Sequence, residues 1–278
     1  MRSYFVFILL ALAALPLVVA CSEKEPVTTT NPLLEEWTTP FGVPPFDQIK
    51  DEHYLPAFEE AFAQKRKDIE AIAAETAPPT FDNTVKALEL SGELLSRVRP
   101  VFSNLNSAET NETLQEVAKE IAPTMAALHD DIYLNDVLFQ RVRTLVESRD
   151  TLSLDAEDTR LLEETFKEFV RSGATLEEKD KERLREINGE LSVLTTRFGE
   201  NLLAETNAFQ LVIGDEADLA GLPESSVVSP AGAAEDADMA GNWLFTTHNP
   251  TMLPYMTYAA NREIRRQLFT AYTMRGNN

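Results

Sequence analysis

The chain has 278 residues, 25 of them basic and 46 acidic, for a formal net charge of −21 at pH 7. A surface so acidic repels phosphate backbones, which argues against DNA or RNA as partners. A hydrophobic content of 44% marks a globular chain rather than a disordered acidic one. The single cysteine, Cys21, leaves no intrachain disulfide.

Residues 1–20, MRSYFVFILLALAALPLVVA, place one positive charge (Arg2) before an uninterrupted apolar run, the layout of a secretory signal peptide. The run ends in Val18-Val19-Ala20-Cys21, which resembles a bacterial lipoprotein signal, cut before a cysteine that then carries lipid. Several acyl chains on Cys21 would anchor stably, because each buried CH₂ contributes about 0.8 kcal/mol. A plain cleavable signal peptide and a retained membrane helix are the competing readings. The lipoprotein reading is preferred, since the only cysteine sits where that signal requires one. Residues 21–31 are polar and without periodicity, as expected of a flexible tether. Ser22 after the cysteine favours the outer membrane, on either face, within the cell envelope.

The folded part opens on WTTPFGVPPFDQIKDEHYLPAFEEAF (Trp37 to Phe62), a proline-punctuated extended stretch running into an amphipathic helix. Tyr54, Leu55, Phe58, Ala61, Phe62, Ile69 and Ile72 give that helix one buried face, ending near Glu75 before Ala77-Pro78-Pro79. Asp82 or Asn83 is expected to cap the second helix. Its face is Val85, Leu88, Leu95, Val98, Phe102 and Leu105, and Pro100 is expected to kink or divide it. A third helix starts near Asn111 and runs through Leu114, Val117, Ile121, Met125 and Leu128 with Pro123 inside; Val137 to Val146 makes a fourth. Asp155 caps a fifth, with Leu162, Phe166, Phe169 and Val170 on one face and Gly173 at its stop.

Thr175 and Glu178 form a capping-box pattern for the longest helix, predicted to reach about Ala204. Leu184, Ile187, Leu191, Leu194, Phe198 and Leu202 are its predicted seam against another long helix; Glu177, Glu178, Lys179 and Lys181 read as a solvated face. FQLVIG (Phe209 to Gly214) and NWLFTTH (Asn242 to His248) read as two paired strands with short helices between them. Helix resumes after Pro250, first with Met252, Tyr255 and Met256, then with Ile264, Leu268 and Tyr272. The apolar face of the last helix is still running when the sequence stops, so the chain reads as truncated.

The strings PPFDQIKDEHYLPAFEEAF, FDNTVKALELSGELLSRVRPVFSNLNSAETN, DLAGLPES and REIRRQLFTAYTMRG occur in that order and span nearly all of the chain after its first thirty residues. Together they resemble the N-terminal half of the thimet-oligopeptidase family of zinc metallopeptidases, especially its bacterial peptidyl-dipeptidase and oligopeptidase A branches. The resemblance implies a mainly α fold: a helical bundle-like half of a two-lobed channel peptidase, with a small β-hairpin near 209–248. It implies a helical domain over 32–207, and over 208–278 a hairpin plus helices that begin the catalytic lobe. Short peptides are the implied substrates, zinc the implied cofactor of the full-length enzyme, and a monomer the expected state.

A zinc peptidase of this kind needs H-E-x-x-H on a helix, two histidines one turn apart with a glutamate base between them. The only histidines are His53, His129 and His248, and none heads that motif. No catalytic residue and no zinc ligand is therefore expected in this chain, which alone should be inactive. His129-Asp130-Asp131 is the least implausible metal cluster, and the reading goes against it. No G-x-S-x-G, phosphate-loop or dinucleotide motif is present. The rival reading is a non-catalytic helical lipoprotein that binds peptides or a protein partner.

Overall fold

The structure is a computed structural model that describes residues 30–277. Cys21, the signal 1–20 and most of the tether lie outside the described residues. The fold is mainly α, as the periodicities predict, with one two-stranded antiparallel sheet.

Helix α1 (Tyr54–Ala74) buries Tyr54, Phe58, Ala61, Phe62, Ile69 and Ile72 of the face read from spacing, and Ala57 besides, while Leu55 is half-buried. Tyr54 and Phe58 each meet the Phe102 ring in a T-shaped arrangement, with centroids 5.2 and 5.3 Å apart. The lead-in is pinned beside it: Asn31 Nδ2 donates to His53 O at 2.7 Å, and Trp37 Nε1 to Pro32 O at 3.0 Å.

The next helical segment opens as a π-turn over Phe81–Lys86 and continues as α2 (Ala87–Leu90). Its cap is Thr80, not Asp82 or Asn83. Asn83 N donates to Thr80 Oγ1 (3.1 Å) and Thr80 N to Asn83 Oδ1 (2.7 Å), so Asn83 is the reciprocal member of the box one turn in. The break expected at Pro100 lies instead at Ser91-Gly92. Gly92 takes φ +71°, and a Cβ there would sit 2.4 Å from Lys65 Cδ. Lys65 Nζ donates to Ser91 O (2.9 Å) and Asp68 Oδ2 accepts from Gly92 N (2.9 Å), so α1 clamps the bend. Helix α3 (Glu93–Ala108) then runs through Pro100, whose ring is on the exposed side.

Asn111 caps α4 (Glu112–Tyr133) through Leu114 N at 3.0 Å, and Asn135 caps α5 (Asp136–Glu147). Asp155 caps α6 (Ala156–Arg171) as read. Gly173, at φ +99°, ends it: Ala174 N reaches back to Phe169 O and Gly173 N to Val170 O, both recovering last-turn carbonyls.

Helix α7 (Glu178–Ala208) is the longest element at 31 residues. Thr175 does not cap it: Leu176 N bonds Gly173 O, so residues 174–176 finish the turn after Gly173 and the helix starts from Glu177 without a side-chain cap. It lies antiparallel along α4, but not on the predicted seam. Lys181 donates to Leu134 O and pairs with Asp136. Asn188 Nδ2 donates to Asp130 Oδ1 at 2.7 Å, and Glu200 pairs with Lys119 at 3.1 Å. The contact is a polar ladder, while Leu191, Leu194 and Phe198 are more than half exposed. Lys181, read as solvated, is only 2% exposed. Its ammonium is tolerated because a carbonyl and a carboxylate receive it.

Beyond α7 come β1 (Leu211–Ile213), α8 (Ser225–Asp236), β2 (Trp243–Phe245), α9 (Asn249–Tyr258) and α10 (Arg262–Thr273). The strands pair Leu211 with Phe245 and Ile213 with Trp243. Their connection carries α8, so the pair is not a tight hairpin. Ile213, Leu219, Phe245, Tyr255, Ala259 and Leu268 form a second apolar cluster, distinct from the one built on α1 to α6.

Each cluster holds a buried phenol. Burial first, then the charge of Asp51, pushes Tyr54 up to about 12; burial, then Asp218, does the same to Tyr255. Both ionise near 10 in an unfolded chain. Their stabilising contribution is therefore complete below pH 10 and lost as pH rises through 12. The melting temperature, followed by circular dichroism, is expected to fall between those limits. A Tyr54→Phe, Tyr255→Phe double variant should fall less steeply; an unchanged slope would refute the assignment.

Candidate functional site: a groove between α3, α4 and α7

The sequence supplies α4 with two stripes. One, from Leu114 to Ile132, is core. The other, Ala122, Met125, Ala126, His129 and Tyr133, forms the floor of an open groove of about 1000 Å³. Leu95, Ser96, Arg99, Pro100 and Ser103 of α3 make one wall; Asn188, Leu191, Ser192, Thr195 and Thr196 of α7 make the other. The small side chains Ala122, Ala126 and Ser192 keep the groove open.

Its chemistry is that of binding. The floor is largely apolar and the walls carry hydroxyls. Pro100 has no N–H, so the Ser96 carbonyl lacks its i+4 donor at the wall, leaving a backbone acceptor there. Arg99 is exposed on the α3 wall and offers a planar donor fork to a carboxylate. At the end nearest α1, Lys65 is held on Ser91, and burial pushes its ammonium below the ordinary value against the pull of Asp68 and Glu89. Burial, with Glu168 and Glu89, pushes the Tyr133 phenol up.

The histidines do not converge. His53 Nδ1 accepts from Lys50 N at 3.1 Å, a turn before α1, and His248 Nδ1 contacts Thr246 Oγ1 at 3.1 Å, before α9. Only His129 lies in the groove, its ring tilted 43° against Tyr133 (centroids 4.6 Å apart), with Asp130 Oδ1 at 3.8 Å and Glu168 Oε1 at 4.0 Å. Asp130 is committed to Asn188, and Asp131 turns to Arg66 and Arg185. Among the described residues no group of three or more His, Cys, Asp or Glu side chains could hold a metal ion, so the residues here do not fit zinc. No serine, threonine or cysteine side chain bonds His129 among them either, so no nucleophile–base pair forms there. Cys21 lies outside the described residues.

The wall residues escaped the sequence reading because serine, threonine and alanine on a helix leave no periodic signal. Leu95, Pro100 and Leu191 of the walls, and Met125 and His129 of the floor, stood out beforehand for other reasons.

Residues 58–181 match the family described as Neurolysin/Thimet oligopeptidase, N-terminal domain. The chain is 42% identical over 245 residues to a dipeptidyl carboxypeptidase of Escherichia coli, covering 88% of this chain and 36% of that protein. It is 30% identical over 249 residues to oligopeptidase A of the same organism (90% and 36% covered). A probable cytosolic oligopeptidase A of Arabidopsis thaliana is 29% identical over 262 residues (92% and 36% covered). The chain thus spans about a third of the length of these relatives.

Proposed function

The chain belongs to the neurolysin/thimet oligopeptidase family, whose N-terminal domain matches its residues 58–181, and on that premise we propose that it is the N-terminal part of a zinc-dependent peptidase acting on short peptides. The activity is of the peptidyl-dipeptidase or oligopeptidase A type. The observation that carries this reading is the 42% identity to a dipeptidyl carboxypeptidase, sustained over 88% of this chain. In the whole protein the α3–α4–α7 groove contributes a binding surface: an apolar floor for side chains, hydroxyls and the Ser96 carbonyl for peptide N–H and C=O groups, and Arg99 for a carboxylate. The zinc and the base that activates water are supplied by polypeptide other than these 278 residues. Lipid on Cys21 holds the protein to the cell envelope, at the outer membrane. Among the described residues no helix is long and apolar enough to cross a membrane.

The test uses the natural polypeptide purified from membranes. Chelator-sensitive release of dipeptides or internal fragments from short peptides is expected of it, restored by zinc. The 278-residue chain alone should release none. Chelator-sensitive cleavage by that chain alone would overturn the assignment of the metal to other polypeptide. Absence of cleavage by the natural protein, with peptide binding retained, would favour the non-catalytic lipoprotein.

A further inference from the structure

Ahead of α1 the chain makes a tight turn that holds a bulky side chain in a backbone conformation such residues rarely adopt. Phe41 has φ +62° and Gly42 φ +66°. Gly42 N bonds Thr39 O at 3.0 Å and Val43 N bonds Pro40 O at 3.5 Å; Thr39 Oγ1 donates to Val43 O. Prolines at 40, 44 and 45 stiffen both sides. Among the described residues the strain gains no packing, because Phe41 is fully exposed there. Val43 and Phe46 are about half exposed beside it. Residues 38–46 carry no charge, in a chain of net charge −21.

We propose that the Phe41 turn, with Val43 and Phe46, is a membrane-contact loop that seats in the interfacial layer of a zwitterionic phospholipid bilayer. This rests on the reading of Cys21 as the lipid anchor. Residues 21–30 reach at most about 35 Å even when fully extended. From Asn31 the chain is fixed to α1 by the bond to His53 O, so an anchored Cys21 confines the loop to the neighbourhood of the acyl layer. Three apolar side chains bind a bilayer weakly by themselves, but an anchor a few tens of ångströms away makes the second contact intramolecular. An uncharged apolar patch suits zwitterionic headgroups, where the acidic remainder of the surface is repelled by anionic lipid. The loop then sets which face of the protein looks away from the membrane.

The test takes the natural lipidated protein in phosphatidylethanolamine vesicles. The mass of its N-terminal peptide reads acylation of Cys21, independently of the loop. Spin labels placed through Phe41→Cys and, as a control on α8, Val228→Cys read depth by their relative accessibility to oxygen and to a water-soluble nickel complex. Label 41 is expected at bilayer depth and label 228 in water; two aqueous labels overturn the proposal. In a Cys21→Ser background, Phe41→Gly is expected to weaken vesicle partition about tenfold. Its melting temperature should be equal or higher, since glycine takes that φ freely. Equal partition, or a lower melting temperature showing that Phe41 is packed against protein, overturns it. An unacylated Cys21 overturns the anchor while the labels still report on the loop.

Discussion

Arg141→Met is expected to destabilise the helical body by about 4 kcal/mol, because each lost hydrogen bond to a charged donor typically costs about 1.5–3 kcal/mol and the three are not additive. Arg141, on α5, is buried. Its Nη1 donates to Glu75 O (2.9 Å) and Ala77 O (3.3 Å), and its Nη2 to Asn83 Oδ1 (3.0 Å). One guanidinium therefore joins the end of α1, the Pro78-Pro79 loop and the capping box of the π-turn. Methionine fills much of the volume but leaves three acceptors without their donor. Arg141→Lys should recover little, since a single ammonium cannot span the planar fork. At about 2–4 °C per kcal/mol for a protein of this size, the melting temperature should drop by roughly 10 °C. A loss under about 1 kcal/mol in both variants would show that the three acceptors find other donors.

Gly221→Ala should be comparably severe but confined to the second cluster. Gly221, in the D-L-A-G-L-P-E-S stretch, has φ +92°, and a Cβ there would lie 2.3 Å from the Tyr258 carbonyl oxygen. That oxygen and the next atom met, Ala260 N at 3.4 Å, are backbone, and the Ala260 N–Ala220 O bond (2.7 Å) fixes the two segments together. We expect a loss of about 3 kcal/mol or more, from left-handed strain and the forced separation of the chains. Gly92→Ala makes the instructive contrast. Its nearest clash is with Lys65 Cδ, which can shift only by loosening the ammonium's bonds to Ser91, so its cost falls on the first cluster. The two tryptophans separate the outcomes: Trp243 lies in β2 and Trp37 packs beside α3 under Arg97. Gly221→Ala should blunt the near-UV signal of Trp243 while far-UV helicity is largely kept. Equal loss at both tryptophans would mean that the two clusters unfold as one.

The helices were legible because their apolar residues recur on one face, and because Asn111, Asp155 and Gly173 are the residue types that close helix ends. What stayed hidden was decided by tertiary contact. Nothing local says that the chain bends at Gly92 rather than at Pro100; the bend exists because Lys65 and Asp68 of α1 hold it. A buried lysine is spelled like a solvated one, so Lys181 was misread until Leu134 and Asp136 appeared beside it. The seam of α7 misled for a related reason. Leucine spacing predicted which face would be covered, but the partners offered by α4 are Lys119 and Asp130, and they select the polar face. The groove was illegible because α7, which closes it against the consecutive helices α3 and α4, comes much later in the sequence.

Helix α7 has a mechanical consequence. At about 1.5 Å per residue its 31 residues make a rod of roughly 46 Å. Its last described tie to α4 is Glu200, so about two turns project beyond that support. On the overhang sit the fastenings of the second cluster: Thr206 accepts from Thr247 and Arg275, and Glu205 from Gly276 N. Among the described residues no element of that cluster packs extensively against α1 to α6. A tilt of only about 10° pivoting at Lys181 would swing the far end by roughly 7 Å, taking the helix from there to Ala208 as rigid. The polar rungs along α4 thus act as the bearing of a lever, and small repacking there is amplified at the sheet.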